Sequence, residues 1–325
     1  MIINGIEVKQ YELSYDKILK NTLEQNDEMT IRFINGVFGD GIPLDAKVEW
    51  LDKESIDDEY KAIVADFYPR IAGRMYSIEV EQDDKGGMAI RVFKYALGGA
   101  LRHSMTVTDS TLTVKFPQPC VIYLKSDANT PKKLIWSIEF FDGQTVTLDI
   151  PTIRLAELSV KEMAERNLFP IGQFYLRTFE PLTKRKLEDF KKAGAELLAV
   201  LKDSMVREVV PYHLAIEMQD TIRKTAENTI NRAGMEVDLD MATNIVETLP
   251  WIDYREVFKK IEERGKTERE LEIAENAFRN ADASPSMTAK ILKAAGIPDE
   301  IIKEARKHAL AEHSRQPKQP SEQER

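Results

Sequence analysis

The chain has little of what thiol and zinc chemistry need. One cysteine, Cys120, stands among 325 residues. That excludes a disulfide framework within the chain and any cysteine-built zinc cage. The four histidines, His103, His213, His308 and His313, are scattered. None forms a pair at helical ligand spacing, which excludes zinc hydrolases of the His-Glu-x-x-His kind. No apolar run approaches the roughly 18 to 20 residues that span a bilayer, so no membrane partner is expected. The start, Met1 to Gly5, is mildly apolar but has no basic segment and no long apolar one. No targeting segment is expected, and cytoplasmic is the default location. Positive charge is also in deficit, with 46 Lys+Arg against 55 Asp+Glu and a net charge of −9. This argues against strong nonspecific nucleic-acid binding over the whole surface and leaves room for a local basic groove.

What is present suffices for a sizeable core. Hydrophobic residues make up 42% and charged residues 31%, too apolar a mixture for overall disorder. The length fits one large domain or two ordinary ones. Residues 11–39 show helical spacing, broken near Asn26-Asp27 and ended by Gly39-Asp40-Gly41-Ile42-Pro43. Residues 46–150 read mostly as strands. Val48–Leu51 is short and β-like, 62–68 is β-rich, and Tyr76–Glu81 alternates strictly. Ile71-Ala72-Gly73-Arg74 is a tight-turn candidate. A helix is expected over 88–103, with the apolar stripe Met88, Val92, Tyr95 and Leu101. Val121–Leu124 forms a strand, and a hairpin over 135–150 turns at Asp142-Gly143. Beyond Pro151 the chain reads as helical near 159–167, 181–206, 211–233 and 253–280. Two short helices flank Ala294-Ala295-Gly296-Ile297-Pro298. The last residues, 314–325, have no apolar side chain and are expected to be disordered.

The informative stretch is 62–95. In Tyr76–Glu81, the side chains of Ser77, Glu79 and Glu81 share one face; Tyr76, Ile78 and Val80 share the other. Glu79 and Glu81 therefore stand about 6.5 to 7 Å apart along one side of a strand. With Ala72-Gly73 at the centre of a two-residue turn, Asp66 falls opposite Glu79. Like charges so opposed are destabilising, and a hard divalent cation would offset them. A metal held this way can activate water and stabilise a phosphodiester transition state. The ordinary alternative is that Glu79 and Glu81 are solvated residues on an exposed sheet face. Arg91 and Tyr95 lie one turn apart on the next helix, and Asp16 and Lys20 have the same relation near the start. Each pair could contact a phosphate or orient a carboxylate, or could be an ordinary helix-surface pair.

At these residues the sequence resembles a known family. Asp66 followed by Glu79-x-Glu81 is similar to the split active site of the PD-(D/E)XK nuclease superfamily. More narrowly, it resembles the recombination-promoting nuclease (Rpn) / putative transposase family of bacteria. The matching stretches include Tyr15–Lys20, Phe33–Asn35, Val64–Tyr68, Tyr76–Val80, Met88–Tyr95, Phe116-Pro117, Val121–Leu124 and Asn167–Ile171. Leu271–Ala274 and Ala294–Ile297 resemble its C-terminal helical segment. The likeness runs through about 11–235 and more loosely through 266–305; the order and spacing of its motifs carry it.

The resemblance implies an α/β fold: a restriction-endonuclease-like mixed β-sheet core flanked by helices, with a mostly helical C-terminal region. Residues 1–150 would be the nuclease-like core and 151–235 a helical extension packed on it. Residues 236–313 would be a helical C-terminal region, followed by the tail. The implied activity is Mg²⁺-dependent (or Mn²⁺-dependent) hydrolysis of DNA phosphodiester bonds, linked to recombination or mobile elements. By position, Asp66 and Glu79 would be metal ligands, with the Val80 carbonyl as a further one. Glu81 departs from the pattern, standing where the superfamily has Lys and this family usually has Gln. It would act as general base or extra ligand. Gln82 points to the opposite face. The other function class is a non-catalytic binding module on the same fold.

Lys184-Arg185-Lys186 with Lys191 and Lys192 reads either as a phosphate patch or as a solvated helix face interleaved with acids. Met287–Ile302 reads as a helix-turn-helix-like element or as a helical hairpin packed on the long helix. The C-terminal helices are the expected route to a homo-oligomer. Cys120 is read as a small buried hydrophobe, and Trp50, Trp136 and Trp251 as core or interface packing, with base stacking the lesser alternative.

Overall fold

A computed structural model describes residues 2–3, 6–7, 14–51, 67–82, 86–233, 239–280 and 285–313. The expected ligand Asp66 and the tail 314–325 lie outside the described residues. The chain divides into two units, Met1–Ile252 and Asp253–Arg325.

The first unit opens with the two-residue strands β1 (Ile2–Ile3) and β2 (Ile6–Glu7), paired antiparallel. Helices α1 (Tyr15–Glu24) and α2 (Asp27–Phe38) follow, with the break at the expected place. Asn26 makes that break a helix start, because its side chain accepts from the Met29 amide at 2.7 Å. Gly39 ends α2 at φ 74°, a conformation that glycine takes without steric penalty.

The frame is a mixed six-stranded sheet. Its first strands are β3 (Val48–Trp50), β4 (Pro69–Ile71) and β5 (Arg74–Glu81). Next come α3 (Met88–His103), the antiparallel pair β6 (Met105–Thr108) and β7 (Thr111–Val114), and β8 (Gln118–Tyr123). A hairpin of β9 (Lys133–Glu139) and β10 (Thr145–Arg154) completes it. The strand order is β3-β4-β5-β8-β10-β9. The β5–β8 and β8–β10 pairs are parallel and the others antiparallel. A parallel pair needs a crossover, which α3 and the β6–β7 pair supply.

Three features depart from the sequence reading. The β6–β7 pair was not expected; its side chains are almost all exposed, so no buried alternation marks it. Strand β10 runs on past Pro151, which sits opposite Lys133 at the end of β9, where the strand passes over to pair with β8. The buried stripe of α3 is Met88, Val92, Ala96 and Ala100, and Leu101 is exposed. Small residues are favoured because the helix lies close to the sheet. A Cβ added at Gly99 would come 2.2 Å from the Tyr68 hydroxyl.

The two faces of the sheet have different covers. Met88, Val92 and Ala96 of α3 pack on Val121, Tyr123, Leu134, Trp136 and Ile150. On the other face, Phe33 and Phe38 of α2 meet Phe67 and Tyr76 ring to ring. Cys120 is fully buried, as expected, and Trp136 lies in the core. Helices α4 (Val160–Glu165), α5 (Phe169–Gly172), α6 (Leu187–Val206), α7 (Tyr212–Asn231) and α8 (Leu239–Thr248) complete this unit. Lys191 pairs with Glu188 and Lys192 with Glu196, as on a solvated helix face.

In the second unit, α9 (Tyr254–Asn280), α10 (Pro285–Ala294) and α11 (Asp299–His313) share a small core. Ala274, Leu292, Ile301, Ile302 and Ala305 form it, so the short helices pack on the long one. Among the described residues, no helix is long and apolar enough to cross a membrane.

Candidate active site

The site starts from a turn. Ala72 and Gly73 both take positive φ, 50° and 78°, and carry the chain from β4 into β5. The pairs Ile71↔Arg74 and Arg70↔Met75 follow. Farther along, Phe67 bridges Ile78. All three pairs keep the register expected of a two-residue turn. Asp66 itself lies outside the described residues.

Along β5, Met75, Ser77, Glu79 and Glu81 face α3. Glu79 is buried, at 2% exposure, so the reading of Glu79 as a solvated surface acid does not hold. Glu81, at the strand's C-terminal end, forms an ion pair with Arg91 of α3. One turn on, Tyr95 packs against Leu51, Tyr68 and Met75. The Tyr68 ring in turn meets His103 near the helix end. Helix α3 thus runs back along β5, from Arg91 beside Glu81 to Tyr95 beside Met75. Four of the seven expected site residues, Glu79, Glu81, Arg91 and Tyr95, share one face of the sheet. Ser77 Oγ, on the same face, is buried without a hydrogen-bond partner among the described residues.

The Asp16 and Lys20 pair is not formed. Asp16 accepts from the Ser14 hydroxyl at 2.7 Å, and Lys20 pairs with Glu24 at 3.4 Å. Their helix reaches the end of β5 through Tyr15 instead. Arg177, 2% exposed, donates to the Tyr15 hydroxyl at 2.8 Å and to Gln82 Oε1 at 2.9 Å. It also pairs with Glu180 at 3.3 Å. Glu180 in turn holds Lys125, at 2.6 Å, and Arg232, at 3.5 Å. Three cations therefore surround one buried carboxylate, next to the strand end that carries Glu81. Burial pushes the Tyr15 phenol up from its ordinary value, with the Arg177 guanidinium pulling against it. Sequence reasoning missed this cluster. Its one local signal is an Arg–Glu pair three residues apart inside the apolar stretch Phe174–Pro181.

Among the described residues, no group of three His, Cys, Asp or Glu side chains is placed to hold a metal ion. The charged donors known to face this side are carboxylates. Carboxylate oxygens of Glu79 and Glu81 are hard ligands, suited to Mg²⁺ or Mn²⁺ and unsuited to thiophilic metals. Both lie toward the C-terminal end of β5, beside the parallel strand β8, where open α/β sheets place their ligands. No protein-family model, curated protein or solved structure matches the chain.

Proposed function

We propose that the chain is a Mg²⁺-dependent DNA endonuclease on a restriction-endonuclease-like fold, linked to recombination or mobile elements. The observation that carries this reading is the hairpin register ending at Phe67↔Ile78, with Glu79 buried on the α3 face. The proposal takes that register one pair further, to Asp66 opposite Glu79. Asp66 and Glu79 would then hold the cation, which supplies water activation and charge compensation at the phosphodiester.

The chain's own residues divide the remaining work. Arg91 holds Glu81 in the absence of substrate. A DNA phosphate offers the guanidinium an alternative bidentate partner. Released, Glu81 is free to accept a proton from the attacking water. Tyr95, packed on the hairpin, keeps α3 and Arg91 in place.

One observation favours the second reading, a binding module without catalysis. The Glu81–Arg91 pair neutralises the position at which a catalytic lysine would stand. Calorimetric titration with Mg²⁺ or Mn²⁺ separates the two. The nuclease reading expects binding that disappears in Glu79→Gln; no binding to the wild type supports the module.

A further inference from the structure

Strand β9 closes one side of the sheet. Among the described residues its only ladder partner is β10. Its outer N–H and C=O groups form an open edge, a template for another strand. The strand reads Lys133-Leu134-Ile135-Trp136-Ser137-Ile138-Glu139. A base stands at one end and an acid at the other, with apolar residues and Ser137 between.

We propose that this edge pairs with β9 of a second copy of the chain, antiparallel and centred on Trp136. The register follows from the ladder. Outward amides recur at every second residue, and a second copy presents the same ones. Paired residue numbers must therefore add to an even number. Among even registers, the one adding to 272 sets Lys133 opposite Glu139. Two-fold symmetry forms that pair twice. Leu134 meets Ile138, Ile135 meets Ser137, and Trp136 meets its own counterpart. Registers shifted by one step lose the charge match, since Lys133 then faces Ser137 or Glu139 faces Ile135.

The surrounding side chains fit this partner. Glu139 has no cation of its own among the described residues. Lys133 holds Asp149 at 2.7 Å with half its side chain still exposed. It would stand between two carboxylates, one from each copy. Ile135, Phe140 and Phe141 are exposed at and just beyond the strand, and apolar surface of this kind marks contact regions.

The test is sedimentation of the full chain over a range of concentrations. The wild type is expected to dimerise reversibly. Lys133→Glu and Glu139→Lys should each weaken the dimer by about tenfold or more. Combining them restores the pair in reverse and should recover most of the loss. Both side chains are exposed, and circular dichroism checks that the variants stay folded. An Ile135→Cys/Ser137→Cys chain should form an inter-chain disulfide on oxidation, since the native thiol, Cys120, is buried. A wild type that stays monomeric at every concentration overturns the proposal. So does a dimer unchanged by either charge reversal.

Discussion

Glu79 and Glu180 are carboxylates with almost no exposed surface. Glu180 sits among Arg177, Lys125 and Arg232. Removing its charge would leave three cations around a neutral amide. Glu180→Gln is therefore expected to destabilise the first unit by about 3–5 kcal/mol, the range for breaking a buried pair. Urea unfolding measures this, and an unshifted midpoint would contradict it. An exposed pair such as Lys161–Glu165 should contribute below about 1 kcal/mol in the same assay. Cys120 gives a pH prediction. Burial pushes its thiol from 9 up to about 12. The folded state thus favours the neutral thiol, while the unfolded chain ionises near 9. The resulting stability is present below pH 9 and is lost as pH climbs from 9 to about 12. Cys120→Ala should show a shallower loss over that window in unfolding curves taken at stepped pH. Equal slopes would contradict the assignment.

At the scale of elements, α2 owes its position to a glycine. A Cβ at Gly36 would lie 1.8 Å from the carbonyl oxygen of Arg166, which is backbone and cannot swing aside. Gly36→Ala is expected to destabilise by about 1–3 kcal/mol or more through overpacking, although alanine favours helices. A thermal scan that finds it neutral would sink this account of the packing. The elements also show what the sequence can and cannot reveal. The β4–β5 register was legible because the Ala72-Gly73 turn stands between a β-rich run and the alternating strand Tyr76–Glu81. The ends of α3 were legible from its apolar run, whereas its stripe was misread. Leucine was favoured over alanine at a contact too close for a large side chain. The β6–β7 pair was illegible because exposed strands leave no burial pattern. The Arg177–Gln82 bond joins residues 95 positions apart, and such a pairing leaves no local trace. Burial of Glu79 was equally hidden, since it depends on α3 covering a face that alternation alone leaves open.

At the scale of the molecule, net charge and site chemistry pull in opposite directions. A chain of net charge −9 repels DNA except where a groove or a bound cation compensates. DNA binding should therefore be weak and steeply salt-dependent. Fluorescence anisotropy with a short duplex is expected to show affinity falling about tenfold or more between roughly 50 and 200 mM salt. Binding indifferent to salt would contradict phosphate contacts as its source. The most direct test of the central claim is cleavage of DNA by the full chain in Mg²⁺ or Mn²⁺, with Glu79→Gln alongside. The wild type is expected to cut DNA in a metal-dependent reaction that chelation abolishes. A Glu79→Gln protein that still folds should lose this cutting by about a hundredfold or more. A folded wild type that cuts no DNA with either metal, or a Glu79→Gln protein that cuts as well as the wild type, would contradict that claim.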